Sequence, residues 1–235
     1  AGCGTGQHAI TTASKYKNAQ IFALDLSFNS LAYAKRRADE LNCKNINFIQ
    51  GDLLELRKLN KKFDIIESVG VLHHMADPLV GWQSLRKCLK KDALMLVGLY
   101  SEKARVNISN IRENINNLKI KTTKKNIINF RKDIFESNSK KWDSIKYSPD
   151  FYSTSGVRDL LFHVQEHGFT IPKIQKYLKN LNLKFLGFED TYVIERFKKV
   201  YNANSDLYDL RKWDEYERIN PRIFSGMYQF WCKKN

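Results

Sequence analysis

Ala1-Gly2-Cys3-Gly4-Thr5-Gly6-Gln7 is the stretch whose reading decides the fold. Three glycines on alternate positions let the backbone turn tightly and approach a ligand with no side chain in the way. A helix starting at about Gly6 turns its free N–H groups on whatever the loop cradles. The stretch therefore reads as a ligand-binding turn between a strand and a helix. The strand that should precede it is absent, because the sequence begins at the loop itself, with no Met and no apolar run before it. The expectation is a fragment of a longer protein.

Downstream of the loop, residues 7–16 read as a short helix and residues 20–24 as a five-residue apolar strand ending on Asp25. An acid about 20 residues after a glycine loop is the position that bonds ribose hydroxyls in nucleotide-binding βαβ units. Ser27 or Asn29 suits the cap of a helix over 30–42, whose Leu31, Ala34, Ala38 and Leu41 fall at helical spacing. Residues 47–49 form a third strand position, followed by Gln50-Gly51-Asp52-Leu53. Residues 63–67 form the next strand, running into Ser68-Val69-Gly70-Val71-Leu72-His73-His74. Asp77 and Pro78 open a helix with Leu79, Trp82, Leu85 and Leu89 as its buried stripe, and a strand over 93–100 follows. Strands alternating with helices at this spacing predict an α/β fold, an open parallel sheet with helices on both faces.

Residues 101–150 break the rhythm. They are basic and weakly periodic around Ile108, Ile111, Ile115 and Leu118, and predict helices inserted over the carboxyl ends of the strands. A helix is expected over 157–167 with Gly168 as its stop, and another over 171–182 capped by Thr170. Strands over 183–189 and 226–232, with mostly helical residues 192–219 between them, read as an antiparallel pair.

At 235 residues and 43% hydrophobic, the chain can bury one substantial core. No run of about 18 apolar residues is present, so no membrane role is expected. Cys3, Cys43, Cys88 and Cys232 are scattered without C-x-x-C spacing, which argues against a zinc ribbon and a disulfide framework. A cytoplasmic setting is the expectation. The formal net charge is +15, and residues 103–146 hold twelve Lys/Arg against four Asp/Glu. Such an excess attracts polyanions, but it speaks to association and not to fold. Nucleic acid is therefore a partner left open and not favoured.

The order of these features resembles a class I S-adenosylmethionine-dependent methyltransferase. The family's glycine loop matches Gly2-Cys3-Gly4-Thr5-Gly6, and its acids after the second and third strands match Asp25 and Asp52. Its Leu-His-His segment matches Val71-Leu72-His73-His74-Met75. More narrowly, the segments starting at Asp150, Leu160 and Gly226 resemble bacterial methyltransferases fused behind tetratricopeptide repeats, which would lie upstream of Ala1. The resemblance implies a Rossmann-like sheet of order 3-2-1-4-5-7-6 with its central first strand missing. It implies a cofactor-binding half over 1–100, a helical insertion or substrate cap over 101–170, and a C-terminal segment, 171–235, completing the same domain. It also implies S-adenosyl-L-methionine as cofactor. Gly2, Cys3, Gly4, Thr5 and Gly6 would pass its methionine moiety, Asp25 would hold its ribose hydroxyls, and Asp52 would bond its adenine amino group with Leu53 near the ring; Leu26, Ser68 and Val69 are further cofactor-binding candidates. The turn 90–93 departs from the Pro-Gly-Gly that the family often carries there.

Methyl transfer from a sulfonium is an in-line displacement, which needs alignment and a base only where the nucleophile must lose a proton. Glu67, His73 and His74, together with His163 and His167, are the candidates for that chemistry. The acceptor is expected to be a small molecule or a protein. His163, Glu166 and His167 also fit H-x-x-E-H, but no third ligand is identifiable and no metal is expected. Three rivals stay open: an RNA methyltransferase using the basic insertion, a nicotinamide-dependent oxidoreductase, and a non-catalytic cofactor-binding module. The oxidoreductase fingerprint wants Gly where Gln7 stands. Phe151, Tyr152, Phe162, Tyr228, Phe230 and Trp231 are aromatics for the core or for an acceptor pocket.

Overall fold

The computed structural model describes residues 1–139, 142–163, 165–201 and 206–235. The glycine loop runs into α1 (Gln7–Lys15), followed by β1 (Ile21–Asp25) and α2 (Phe28–Glu40). Ser27 caps α2 by accepting from the Ser30 amide at 3.2 Å, and Leu31, Ala34 and Ala38 face inward as their spacing requires. β2 (Ile46–Gln50) leads into a 3₁₀ turn, 53–59, and then β3 (Phe63–Val69). Asp77 caps α3 (Pro78–Cys88), accepting from Leu79 N at 2.8 Å, and Trp82 and Leu85 are fully buried.

α3 passes directly into β4 (Leu89–Leu99), which starts four residues earlier than the expected strand. The β3–β4 pairing jumps from Phe63 opposite Leu89 to Ile65 opposite Leu94, so residues 90–93 bulge, with Asp92 at φ 59°. A bulge thus stands where a free turn was expected. It leaves Lys90 and Asp92 in reach of Asp64 and Lys233, at 2.8 and 2.9 Å.

The strands form two sheets. β1 and β2 pair in parallel, while β3, β4, β6 (Tyr228–Lys234) and β5 (Leu183–Phe188) form a second sheet in the order β3-β4-β6-β5. β3 and β4 are parallel, and β6 runs antiparallel to both its neighbours. This is the expected order without its central strand. Among the described residues no ladder joins β1 to β3. Residues 1–3 tie the two sheets instead: the Ala1 amine donates to Glu67 O at 2.7 Å, and Gly2 and Cys3 amides donate to Leu24 O at 2.8 and 2.9 Å. The rings of Phe22 and Phe63 add an edge contact at 5.5 Å.

The main core lies beneath the four-stranded sheet and includes Trp82, Phe188, Phe197, Trp213, Phe224 and Phe230. Phe197 stacks on Trp213 with centroids 3.7 Å apart. α8 (Ile171–Asn180), α9 (Thr191–Lys198) and α10 (Leu210–Ile219) cover it, and residues 202–205 of the expected helical stretch lie outside the described residues. Glu217 on α10 is fully buried, yet it accepts from Ser101 Oγ and Tyr228 OH and lies 3.2 Å from Lys103 Nζ. Both hydrogen bonds go to Oε1, and the Lys103 ammonium offsets the buried charge at Oε2, which has no hydrogen-bond partner among the described residues.

α4 (Val106–Asn117), α5 (Lys124–Glu136), α6 (Asp143–Lys146) and α7 (Thr154–Leu161) pack a second core around Ile111, Ile127, Ile134, Phe151 and Val157. α7 ends at Leu161, six residues short of the expected helix. The backbone beyond it is drawn to β4 and to the turn after β3: Phe169 N donates to Tyr100 O, Glu102 N to Phe169 O, and His167 N to His73 O, at 2.8–2.9 Å. Residue 164 lies outside the described residues. His163, Glu166 and His167 therefore do not share a helical face, and the H-x-x-E-H reading loses its geometry. No helix among the described residues is long and apolar enough to cross a membrane.

Candidate functional site

The loop residues Gly2, Gly4 and Gly6 have φ of 72°, 53° and 83°, a region L side chains rarely enter. A Cβ on Gly2 would stand 2.3 Å from Val71 Cγ2, and one on Gly6 2.6 Å from Ala34 Cβ, while one on Gly4 would meet open space. Asp25, at the end of β1, holds this turn: its Oδ2 accepts from Gly4 N at 2.7 Å and its Oδ1 from Ser27 N at 2.8 Å. The Gly51 amide donates to Asp25 O at 3.0 Å, which brings Asp52 to the same edge. Asp52 caps the 3₁₀ turn through Leu54 N at 2.8 Å, with Leu53 buried behind it and Leu26 exposed beside Asp25. α1 begins without a side-chain cap, so its first amides face the loop. Burial pushes the Cys3 thiol up, with the Asp25 carboxylate adding to the effect.

Ser68 and Val69 end β3 on the same side. The Ser68 hydroxyl is fully buried and has no partner among the described residues. Buried polar atoms are normally satisfied, and this hydroxyl is an exception. Glu67 is joined to Ala1 through its backbone, and no contact among the described residues links its carboxylate to the histidines.

His73 and His74 follow β3 in a 3₁₀ turn. His74 stacks on His163 at 3.8 Å and meets His73 edge-on at 4.3 Å; His73 in turn lies 4.1 Å from the Tyr100 ring. The His74 Nδ1 lies 3.0 Å from Gln165 O. A carbonyl only accepts, so Nδ1 carries the proton and Nε2 presents a lone pair. Desolvation lowers the pKa of His74, and the neighbouring His163 adds to that shift. His73 is fully buried with neither ring nitrogen bonded among the described residues. Its pKa falls to about 3 through burial first, then through His74 and Arg105. Both imidazoles are therefore neutral near pH 7. His167 joins the cluster through its backbone bond to His73 and a 3.3 Å contact with Gln165 Nε2.

The sequence reading missed Tyr100, Arg105 and Arg112. The Arg105 guanidinium lies over the Tyr100 ring at 3.6 Å, and both arginines reach Glu166, at 3.2 and 2.9 Å. A signal was available: in a stretch whose bases are mostly lysine, two arginines stand seven residues apart, on one face of a helix. Of the six aromatics named from the sequence, Phe151, Phe162, Tyr228 and Phe230 are buried in the two cores, and Tyr152 is exposed. Trp231 bonds Glu189.

A protein of Synechococcus sp. known only as uncharacterised is 27% identical over 240 residues, covering 95% of this chain and 57% of its own. The release factor glutamine methyltransferase of Flavobacterium psychrophilum is 43% identical over 67 residues, 28% of this chain and 23% of its own. The structure of PKMT2 from Rickettsia typhi in complex with AdoHcy superposes over all of this chain and 48% of that one, with a TM-score of 0.71 at 16% identity. The chain thus spans about half the length of the long relatives it matches. A family model described as a methyltransferase domain matches residues 1–152, and the chain belongs to that methyltransferase family.

Proposed function

We propose that this chain binds S-adenosylmethionine at the β1–β2–β3 edge and directs methyl transfer to a small-molecule or protein acceptor, with His74 as the proton acceptor. The residues fit the cofactor. The glycine turn offers a backbone cradle that a side chain would fill, Asp25 and Asp52 keep lone pairs for hydroxyl and amino donors, and the buried Ser68 hydroxyl lacks a partner. The exposed Leu26 offers apolar contact at this edge, and Leu53 packs behind Asp52. Bound there, the cofactor supplies an electrophilic methyl group on a sulfonium.

What the chain itself must do is align the acceptor and receive any proton it sheds. His74 Nε2 is suited to that task because the Gln165 carbonyl fixes the proton on Nδ1 and burial keeps the ring uncharged. Tyr100 and the imidazoles wall the reacting region with rings, and His73 holds the turn in place through its carbonyl bond to His167. The observation that carries the proposal is the Gly4–Asp25 closure, which pre-forms the cradle on the carboxylate meant for the ribose.

A hydrogen bond to a charged group is worth about 1.5–3 kcal/mol. Calorimetric titration of S-adenosylmethionine into the full-length protein should therefore show Asp25→Ala and Asp52→Ala each weakening binding by about tenfold or more. Unchanged affinity in both folded variants would exclude this edge as the cofactor site.

A further inference from the structure

Beside the imidazole stack, the end of β4, α4 and the segment after α7 line a pocket of about 280 Å³ that opens to solvent. Arg105, Arg112 and Glu166 line its inner part, and their side chains are 8%, 14% and 9% exposed. Two largely buried guanidiniums thus share one carboxylate. Arg105 uses Nε and one Nη on Glu166, at 3.2 and 3.4 Å. Arg112 spends Nε on Leu160 O and Nη2 on Asp159 O and Glu166. Arg105 is only 7% exposed as a residue, and neither guanidinium has an atom among the buried ones left without a partner. Arg112 has its pKa lowered, by desolvation first and by Arg105 beside it against the opposing pull of Glu166.

A buried cation in excess of its counter-ions is costly unless something of opposite charge completes the site. The other charged residues on the cavity do not complete it. Glu102 and Glu113 are exposed at the mouth, where water screens them, and neither forms an ion pair among the described residues. His73 and His74 are neutral and add no anion. Guanidinium forks match planar carboxylate and phosphate oxygens through paired N–H donors. Tyr100 connects this place to the chemistry, because its ring carries Arg105 and also packs against His73.

We infer that this cavity is an acceptor subsite and that the methyl acceptor carries an oxyanion, a carboxylate or a phosphate, bound by Arg105 and Arg112. The inference rests on the methyltransferase reading and adds the acceptor's chemical class to it. Glu166 then has two parts: it bridges the two guanidiniums, and it shares them with the incoming anion.

The test follows the Nε–Hε signals of ¹⁵N-labelled full-length protein, saturated with S-adenosylhomocysteine, with Arg105→Lys and Arg112→Lys assigning the two resonances. Acetate and inorganic phosphate are titrated at constant ionic strength against chloride, with acetamide as the neutral isostere of acetate. Saturable shifts of both signals by acetate or phosphate but not by acetamide are expected, with at least about tenfold weaker binding in Arg112→Gln. Stronger binding of acetate assigns a carboxylate, and stronger binding of phosphate assigns a phosphoryl group. If Arg112→Gln fails to fold, the same loss is read in Arg112→Lys, which keeps the charge but not the fork. Shifts no larger than with chloride, or equal with acetamide, overturn the subsite. Cofactor binding is read in the same sample, so a failure of the subsite with S-adenosylhomocysteine still bound leaves the methyltransferase reading standing.

Discussion

His74 differs from its neighbour His73 by one hydrogen bond. The carbonyl of Gln165 gives it a defined tautomer, whereas His73 is buried with both nitrogens free of partners among the described residues. A positioned base contributes about 10²–10⁴-fold to a proton-coupled step. His74→Gln should lower kcat by at least about a hundredfold while leaving the S-adenosylhomocysteine affinity within about twofold; an unchanged kcat would remove His74 from the chemistry. Because its pKa is lowered, the wild-type rate should hold down to a pH below the ordinary histidine range and fall only as the ring gains its proton. His73 makes a separate prediction about stability. Its folded pKa, about 3, lies below its unfolded value of 6.5, so between those values the unfolded chain binds more protons. Its contribution is fully present above pH 6.5 and is lost as pH falls toward 3, at up to about 1.4 kcal/mol per pH unit. Urea unfolding at pH 7 and pH 5 should show a loss that His73→Phe reduces; an equal loss in that variant would assign the effect to other groups.

At the scale of elements, the glycine turn was the most legible feature, because its three positive φ values need residues without a Cβ. Gly6→Ala places a Cβ 2.6 Å from Ala34 at φ 83°. It should weaken cofactor binding by about tenfold or more and lower the melting temperature, since left-handed backbone costs a non-glycine residue about 1–2 kcal/mol. Unaltered binding and melting would mean that the turn is not held in this form. The caps Ser27, Asp77 and Thr170 were likewise local: each side chain accepts from an amide two or three residues on, and that geometry is written in adjacent residues. The end of α7 was not local. Its amphipathic pattern continues past Leu161, but the hydrogen bonds of residues 167–169 go to Tyr100, Glu102 and His73, far away in the chain. Tertiary pairing overrode a helical periodicity that was present.

Across the whole molecule, the two sheets are joined through residues 1–3 and a ring contact, not through a ladder. The main core lies with the four-stranded sheet, while α1 and α2 pack a small cluster of Ile10, Ala13, Ala38 and Cys43. Protection from hydrogen exchange follows buried apolar contact and paired backbone. The amides of β1 and β2 in this chain should therefore exchange at least about tenfold faster than those of β4 and β6; equal protection would show that the halves open together.

The sequence by itself determined the α/β alternation, the turn at Gly2, Gly4 and Gly6, and Asp25 at the end of the strand that follows, whereas the lateral order of the strands and the place of Asp52 came from the family resemblance. The first three follow from spacing within short segments, where backbone geometry and periodicity act. Only the tertiary structure decided that His74 stacks on His163 and meets His73 edge-on, that residues 167 and 169 bond His73, Tyr100 and Glu102, and that Arg105 and Arg112 share Glu166 beside Tyr100. Those contacts join residues as much as 91 positions apart, such as His74 and Gln165. Their energy comes from burial and from the exclusion of water between elements, which no local pattern of residues records.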